Sequence, residues 1–393
     1  MYNGKYTFFN KNLFISFCHL NIDKMKNEIQ LWGLPPNKVY LKIKEQTRSR
    51  LFNFGAELTG NKTSLDNFLG LHRVHRRIYE TGKYFCPLWV IKKILSICPE
   101  KEKQELMSLL EKSIEELRKG YGDEAKSIKN PKLPIKFSPT LCQIIGHVIG
   151  DGGIKKNYSV HYTNGSKILI NQFKRDMREI FGDIEAYEFE DEGIITINFP
   201  SIVGLMLSSL FRSNIREVKC IPPHLLKSNE ECKALFLRAL FDDEGSVSIP
   251  KHTIEFVMAN KIVVEDVKKM LKEFGIRPGK TGRRKEKEHH KIKYRFLITG
   301  SQDLKCFYEK INFDHPDKKE RLRILIRSYK KIFYKKGGIE KFMFKIIKKE
   351  KKMTVKELAK VLDRKPVGRF YQHLQKLKRK NLIRINKGNI TLV

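Results

Sequence analysis

An acid at the end of an apolar helix pattern occurs twice in this chain, and the residues around it repeat as well. Asp151 closes the run IIGHVIG and lies 31 residues before Gly182, while Glu244 closes LFLRALFDD and lies 31 residues before Gly275. Each copy opens on a helix pattern, PTLCQIIGHVIGDGG or CKALFLRALFDDEGS. Each continues with strand-like residues and an amphipathic helix, YSVHYTNGSKILINQFKRDMREIFG or TIEFVMANKIVVEDVKKMLKEFG. The strand-like stretches IITINF and YRFLITG and one more apolar helix complete the copies. The period predicts a helix-strand-strand-helix-strand-strand-helix unit of roughly 95 residues used twice. The two units span about 137–230 and 231–335. The expected fold class is α+β, with one pseudo-symmetric αββαββα core.

A helix C-terminus already carries about half a negative charge, so an acid there costs several tenths of a kcal/mol. One such residue means little. Two at matching places in a duplicated unit predict that the helices pack side by side and bring their carboxylates together. A divalent cation would relieve the repulsion, and hard oxygen ligands suit Mg²⁺, with Mn²⁺ as a substitute. Gly152 and Gly245 directly after the acids are expected to turn the chain with positive φ. Gly146 and Gly150 on one stripe, with Ala239 at the equivalent of Gly146, predict close approach of the two backbones. His147 is read as a packed histidine rather than a metal ligand.

IIGHVIGDGGI and FLRALFDDEGSV resemble the paired motifs of LAGLIDADG homing endonucleases of the two-motif, single-chain kind. The glycine-or-alanine position falls on Gly146 and Ala239. The acid-glycine ending falls on Asp151-Gly152 and Glu244-Gly245. Lys219-Cys220-Ile221-Pro222 looks like the family's lysine-x-Ile-Pro segment, and the second lysine is expected in DHPDKKERL, at Lys318 with Lys319 next in order. The resemblance covers about residues 137–335. It implies metal-dependent hydrolysis of both strands of a DNA site, with Asp151 and Glu244 holding the ions and Lys219 and Lys318 stabilising charge or ordering water. Two departures stand out: Ile149 replaces the motif's first acid, and Asp243 occupies a place where a small residue is common. An intein would need Cys or Ser at its start and His-Asn before its end. This chain begins with Met1 and ends Thr391-Leu392-Val393, so it is expected to be free-standing.

The flanks are basic. Lys and Arg number 79 against 44 Asp and Glu, a formal net charge of +35, which points to a polyanionic partner. Residues 1–37 are expected to be poorly structured, with the first 24 a tail preceding Met25. Residues 38–130 are expected to form a helical, helix-turn-helix-like domain plus linker. Ser64 is its expected N-cap, Arg73, Arg76 and Arg77 form a basic cluster, and 100–119 is expected to be one charged helix. The core is assigned 131–338. Residues 339–393 carry 17 Lys and Arg against 4 acids and outline a winged helix, three helices and a hairpin. Thr354 and Glu357 form an expected capping box, and Pro366 lies near the start of the third helix.

The expected DNA-binding residues are Lys155 and Lys156 after the first motif and Arg283, Arg284, Lys285, Lys291, Lys293 and Arg295 on the second half's sheet. Arg369, Lys376 and Arg379 are expected to do the same on the third helix of the C-terminal block. Double-stranded DNA is the expected partner, with RNA as the other polyanion. A DNA-binding regulator without cleavage and an RNA maturase are the rival functions. No run of ~18 apolar residues exists, which excludes a spanning helix. Seven scattered cysteines without CxxC fit reduced thiols. A cytoplasmic, nucleoid-associated monomer with internal pseudo-twofold symmetry is the resulting expectation.

Overall fold

The computed structural model describes residues 28–121, 126–211, 220–284, 292–328, 338–362, 367–386 and 388–393, with Arg284 by its backbone alone. The chain divides into two compact units after Ser328.

The first unit holds the duplicated core. Two axial helices, Pro139–Ile149 and Glu230–Glu244, pack against each other. Ser138 starts the first by accepting a hydrogen bond from the Leu141 amide, with Pro139 in its first turn. Asn229 starts the second by accepting from the Cys232 amide, and Glu230 and Glu231 sit favourably at the positive end of its dipole. Every residue from Leu141 to Ile149 is buried, because the helix is covered on one side by its partner and on the others by its own repeat. A Cβ at Gly146 would stand 2.7 Å from the Phe236 carbonyl and 2.8 Å from the Ala239 Cβ, so the expected close approach is present.

Each repeat then builds one four-stranded antiparallel sheet with the same strand order. The first runs Gly152–Ile154, Val160–Asn164, Ile194–Phe199, Tyr187–Asp191; the second runs Gly245–Ser248, Thr253–Met258, Lys293–Thr299, Gly282–Arg284. Helices Lys167–Phe181 and Lys261–Glu273 sit between the hairpins in sequence, as the repeat predicted. Alternate strand residues face the core: Ile195, Ile197 and Phe199 in one repeat, Ile254, Phe256 and Met258 in the other. Phe241 packs on Phe256, Phe296 and Phe307 with ring centroids 4.9–6.4 Å apart. Each such fully buried ring contributes about 1.5–3 kcal/mol of apolar burial.

The glycines after the acids do not serve positive φ. Gly245 has φ −92°, and each glycine opens a strand. A Cβ at Gly152 would lie 2.7 Å from the His147 carbonyl and 2.9 Å from that of His161, so its requirement is space rather than handedness.

The N-terminal part differs from the all-helical expectation. Val39–Ile43 is a strand, with Val39, Leu41 and Ile43 buried and Tyr40 and Lys42 facing out. It lies in a four-stranded antiparallel sheet ordered Cys86–Pro87, Val39–Ile43, Ile114–Lys119, Ser127–Lys129. The expected helix over 100–119 stops at Lys112, because Ile114–Lys119 pairs with Val39–Ile43. Five helices lie between these strands, among them Lys62–Leu69 and Arg73–Glu80. Asn61, not Ser64, caps the first of that pair, its side chain accepting from the Ser64 amide. Within 28–37 the chain is ordered: Glu28–Ile29 pairs with Ile135–Lys136, and Leu31 and Leu34 are buried. Residues 1–27 lie outside the described set.

The second unit comprises helices Gly338–Glu350, Val355–Val361 and Gly368–Arg379, and a three-stranded antiparallel sheet ordered Lys352–Thr354, Asn389–Leu392, Ile383–Asn386. Met343, Ile347, Leu358, Phe370, Leu374, Leu377 and Ile390 form its core. The Thr354–Glu357 capping box is present in both directions. The strand Lys352–Thr354 is an addition to the expected hairpin, and Pro366 lies outside the described residues.

Candidate active site

The two motif acids lie where their helices end. Asp151 follows the first helix and is exposed, with its Oδ2 accepting from Asn164 Nδ2 at 3.3 Å. Glu244 is the last residue of the second helix and is half-buried. Lys318, on the helix Pro316–Ser328, donates from Nζ to the Asp242 carbonyl and, at 3.5 Å, to the Phe241 carbonyl. An ammonium there adds a donor to carbonyls in the last turn of the second axial helix and complements its dipole. Burial lowers the Lys318 pKa, while the carboxylates of Asp242, Asp243, Asp151 and Glu244 all pull it the other way; the net direction is down. One lysine therefore senses acids from both motifs. A cleft of about 380 Å³ opens here, lined by Asp151, Asn164, Asp242, Asp243, His315 and Lys318. Lys219 lies outside the described residues.

Two further acids shape the site. Asp242 is buried, which pushes its pKa up to about 7, against hydrogen bonds from the His315 and Asp314 amides at 3.0–3.2 Å. Asp243 turns its buried side chain toward the first repeat. Tyr162 Oη donates to Asp243 Oδ1 at 2.8 Å, and His147 Nδ1 lies 3.1 Å from Oδ2. Burial presses the His147 pKa down and the Asp243 carboxylate presses it up, with a net rise. His147 is thus packed, as expected, but it pairs across the helix interface. Asp243 was visible in the sequence as a departure from the motif, while its partners and the burial of Asp242 were not.

The donor set suits a hard cation. Among the described residues no three His, Cys, Asp or Glu side chains converge as a closed metal cage. Asp151 lines the cleft, and the carboxylate of Glu244, at the end of the second helix, is near enough for its charge to act on Lys318. Magnesium characteristically takes one or two carboxylates and completes its shell with water and substrate phosphate, so these residues fit such an ion.

The basic residues are dispersed. Lys155 Nζ donates to Asn198 Oδ1 at 2.6 Å, and Lys155 and Lys156 are exposed. In the second sheet, Arg295 pairs with Gly282, Tyr294 with Arg283 and Lys293 with Arg284. Neighbours along a strand alternate faces, so Lys293 and Arg295 share the open face and Arg283 lies on the opposite one. Arg295 donates to Glu255 Oε1 at 2.9 Å. Lys285 and Lys291 lie outside the described residues. The corresponding hairpin of the first repeat is short and acidic, turning through Asp191, Glu192 and Gly193 with φ of 47° at Glu192 and 78° at Gly193. In the N-terminal part, Arg76 is buried between Asp66 and Glu80, which removes it from the expected basic surface, while Arg73 and Arg77 are exposed. Arg369 and Arg379 are exposed on Gly368–Arg379, and Lys376 donates to Glu340 at 3.3 Å.

The family model for LAGLIDADG-like domains matches residues 231–312, the second of the two repeats. Residues 231–312 are thus similar to LAGLIDADG-like domains. The chain spans about a quarter or less of the length of the curated relatives it matches. Over 300 residues it is 24% identical to glutamine–fructose-6-phosphate aminotransferase of Methanocaldococcus jannaschii, a match covering 74% of this chain and 26% of that protein. Across the curated relatives the matches span 9–26% of the relative's length. Among solved structures, I-DmoI in complex with DNA and Ca is similar at TM-score 0.36 and 19% identity, covering 47% of this chain and 96% of that one. Full-length DUF199/WhiA from Thermatoga maritima is similar at TM-score 0.36 and 15% identity, covering 62% and 90%. No helix among the described residues is long and apolar enough to cross a membrane.

Proposed function

We propose that the LAGLIDADG core is a divalent-cation-dependent, site-specific DNA endonuclease. The observation that carries this reading is the cleft where Lys318 meets carboxylates from both motif helices. A protein that only grips a polyanion gains nothing from acids gathered at its centre, because they repel phosphate. Acids that hold a cation against that phosphate have a reason to be there. Asp151 and Glu244 hold Mg²⁺ or Mn²⁺, one from each motif. A bound cation of this kind supplies charge neutralisation at the scissile phosphate and acidifies the attacking water. Lys318, fixed by the two carbonyls, stabilises charge on the phosphate oxygens or orders the water beside them. Lys219 is the matching lysine of the other half. The open sheet faces, with Lys155, Lys156, Lys293 and Arg295, lie along the duplex. In the second unit, Gly368–Arg379 is the groove-reading helix of a winged helix, with Arg369, Lys376 and Arg379 toward the phosphates.

The basic second unit favours one other reading, a LAGLIDADG-derived regulator that binds DNA without cutting it. Incubation with a plasmid library of random inserts, in Mg²⁺ or EDTA, followed by sequencing of new ends separates the two. Metal-dependent ends that disappear in Asp151→Asn and Glu244→Gln support the endonuclease. Reproducible footprints with no ends support the regulator, and preference for structured RNA supports a maturase.

A further inference from the structure

Asp243 stands in the second motif where Gly150 stands in the first. Its buried carboxylate takes three hydrogen bonds from the other repeat: from Tyr162 Oη at 2.8 Å, from His147 Nδ1 at 3.1 Å and from the backbone amide of Asp151 at 3.3 Å. For His147 to donate, Nδ1 must carry the proton. His147 is itself held by rings, 4.9 Å from Tyr162 and 5.7 Å from Phe173 between centroids. A Cβ at Gly150 would collide with the Asp243 carboxylate, so the glycine of one motif makes room for the aspartate of the other. The pair is complementary and cannot be reciprocal. Gly150 has no side chain with which to reach back toward Glu244.

We propose that Asp243 is a positioning residue that holds the first motif's acid from the second repeat. Its carboxylate is locked by His147 and Tyr162 and grips the Asp151 amide, so the carboxylate of Asp151 is aimed by a residue across the helix interface. The inference rests on the endonuclease reading for its consequence. Because Asp243 reaches across to Asp151, the two strands of a target depend unequally on Asp243.

The test uses the full chain with Asp243→Ala, Asp243→Asn and Tyr162→Phe, each first checked for a native thermal transition. The substrate is a duplex recovered from wild-type cleavage and labelled differently on each strand. The strand slowed more by Asp151→Asn defines the Asp151 side. Asp243→Ala is expected to slow that strand by roughly 10- to 100-fold, as loss of supporting hydrogen bonds around a metal ligand does, and the other strand clearly less. Asp243→Asn keeps an acceptor oxygen and is expected to recover most of the rate. Tyr162→Phe is expected to show a weaker version of the same bias. DNA affinity in Ca²⁺ is expected to stay at the wild-type value. Equal slowing of both strands, or no slowing in Asp243→Ala, overturns the proposal.

A second readout needs no cutting. Backbone amide exchange over residues 148–154, without DNA or metal, is expected to accelerate in Asp243→Ala. Unchanged exchange overturns the tether. A wild-type chain that cuts nothing sinks the endonuclease reading instead, and exchange alone then decides the tether.

Discussion

Burial raises the pKa of two acids in the core, Asp242 and Asp176, and each is held there at a cost. Asp176 sits on Lys167–Phe181 at 6% exposure, and its Oδ2 has no hydrogen-bond partner among the described residues. Burial pushes its pKa up to about 6, against the nearby His147 and Arg175 charges. The folded state therefore prefers the protonated carboxyl more than the unfolded chain does. That preference supports the fold fully below about pH 4 and is lost as pH rises through about 6. Asp176→Asn mimics the protonated form. It is expected to raise stability at pH 8 by up to about 3 kcal/mol and to change it little at pH 4. Urea unfolding of the two proteins at both values checks this, and an equal effect at both would refute the assignment. No sequence pattern announced Asp176, since an acid on an amphipathic helix ordinarily faces water.

Among the elements, the two axial helices leave little tolerance where they meet. Gly146→Ala places a methyl against the backbone carbonyl of Phe236, which cannot rotate aside as a side chain can. Overpacking of this kind costs about 1–3 kcal/mol, with backbone contacts at the upper end. The expected outcome is a lower urea midpoint with unchanged slope, and a midpoint equal to wild type would mean the helices are further apart than described. These helices were legible before any coordinates, because the chain contains its own comparison: a period seen twice is hard to mistake. Asp151, Glu244 and the choice of Lys318 came from that period and the family's motif. The N-terminal sheet was not legible. Val39–Ile43 alternates correctly, yet its partner Ile114–Lys119 is distant in sequence, and the helical patterns on either side absorbed both strands. Nor could sequence show that Asp243 faces His147, which depends on the rotation of two helices about their axes.

At the scale of the whole molecule, the charge of +35 is an average over unlike surfaces. If DNA lies on the open sheet faces, binding falls with salt in proportion to the phosphates engaged. Lys293→Ala with Arg295→Ala is expected to reduce the slope of log K against log salt by about 2, at roughly 0.9 per phosphate contact. Arg283→Ala, on the opposite face, is expected to leave it unchanged. Equal effects from all three would mean that the second sheet does not present one face to the duplex.

The unlike hairpins carry a last consequence. Asp191 and Glu192 close the ribbon of one repeat, whereas Arg283, Lys293 and Arg295 lie on the strands of the corresponding ribbon in the other. A near-symmetric clamp with dissimilar rims possesses a compass. It would settle on a double helix in a single heading, so a perfect palindrome would be the wrong address for it, and an uneven one the right address.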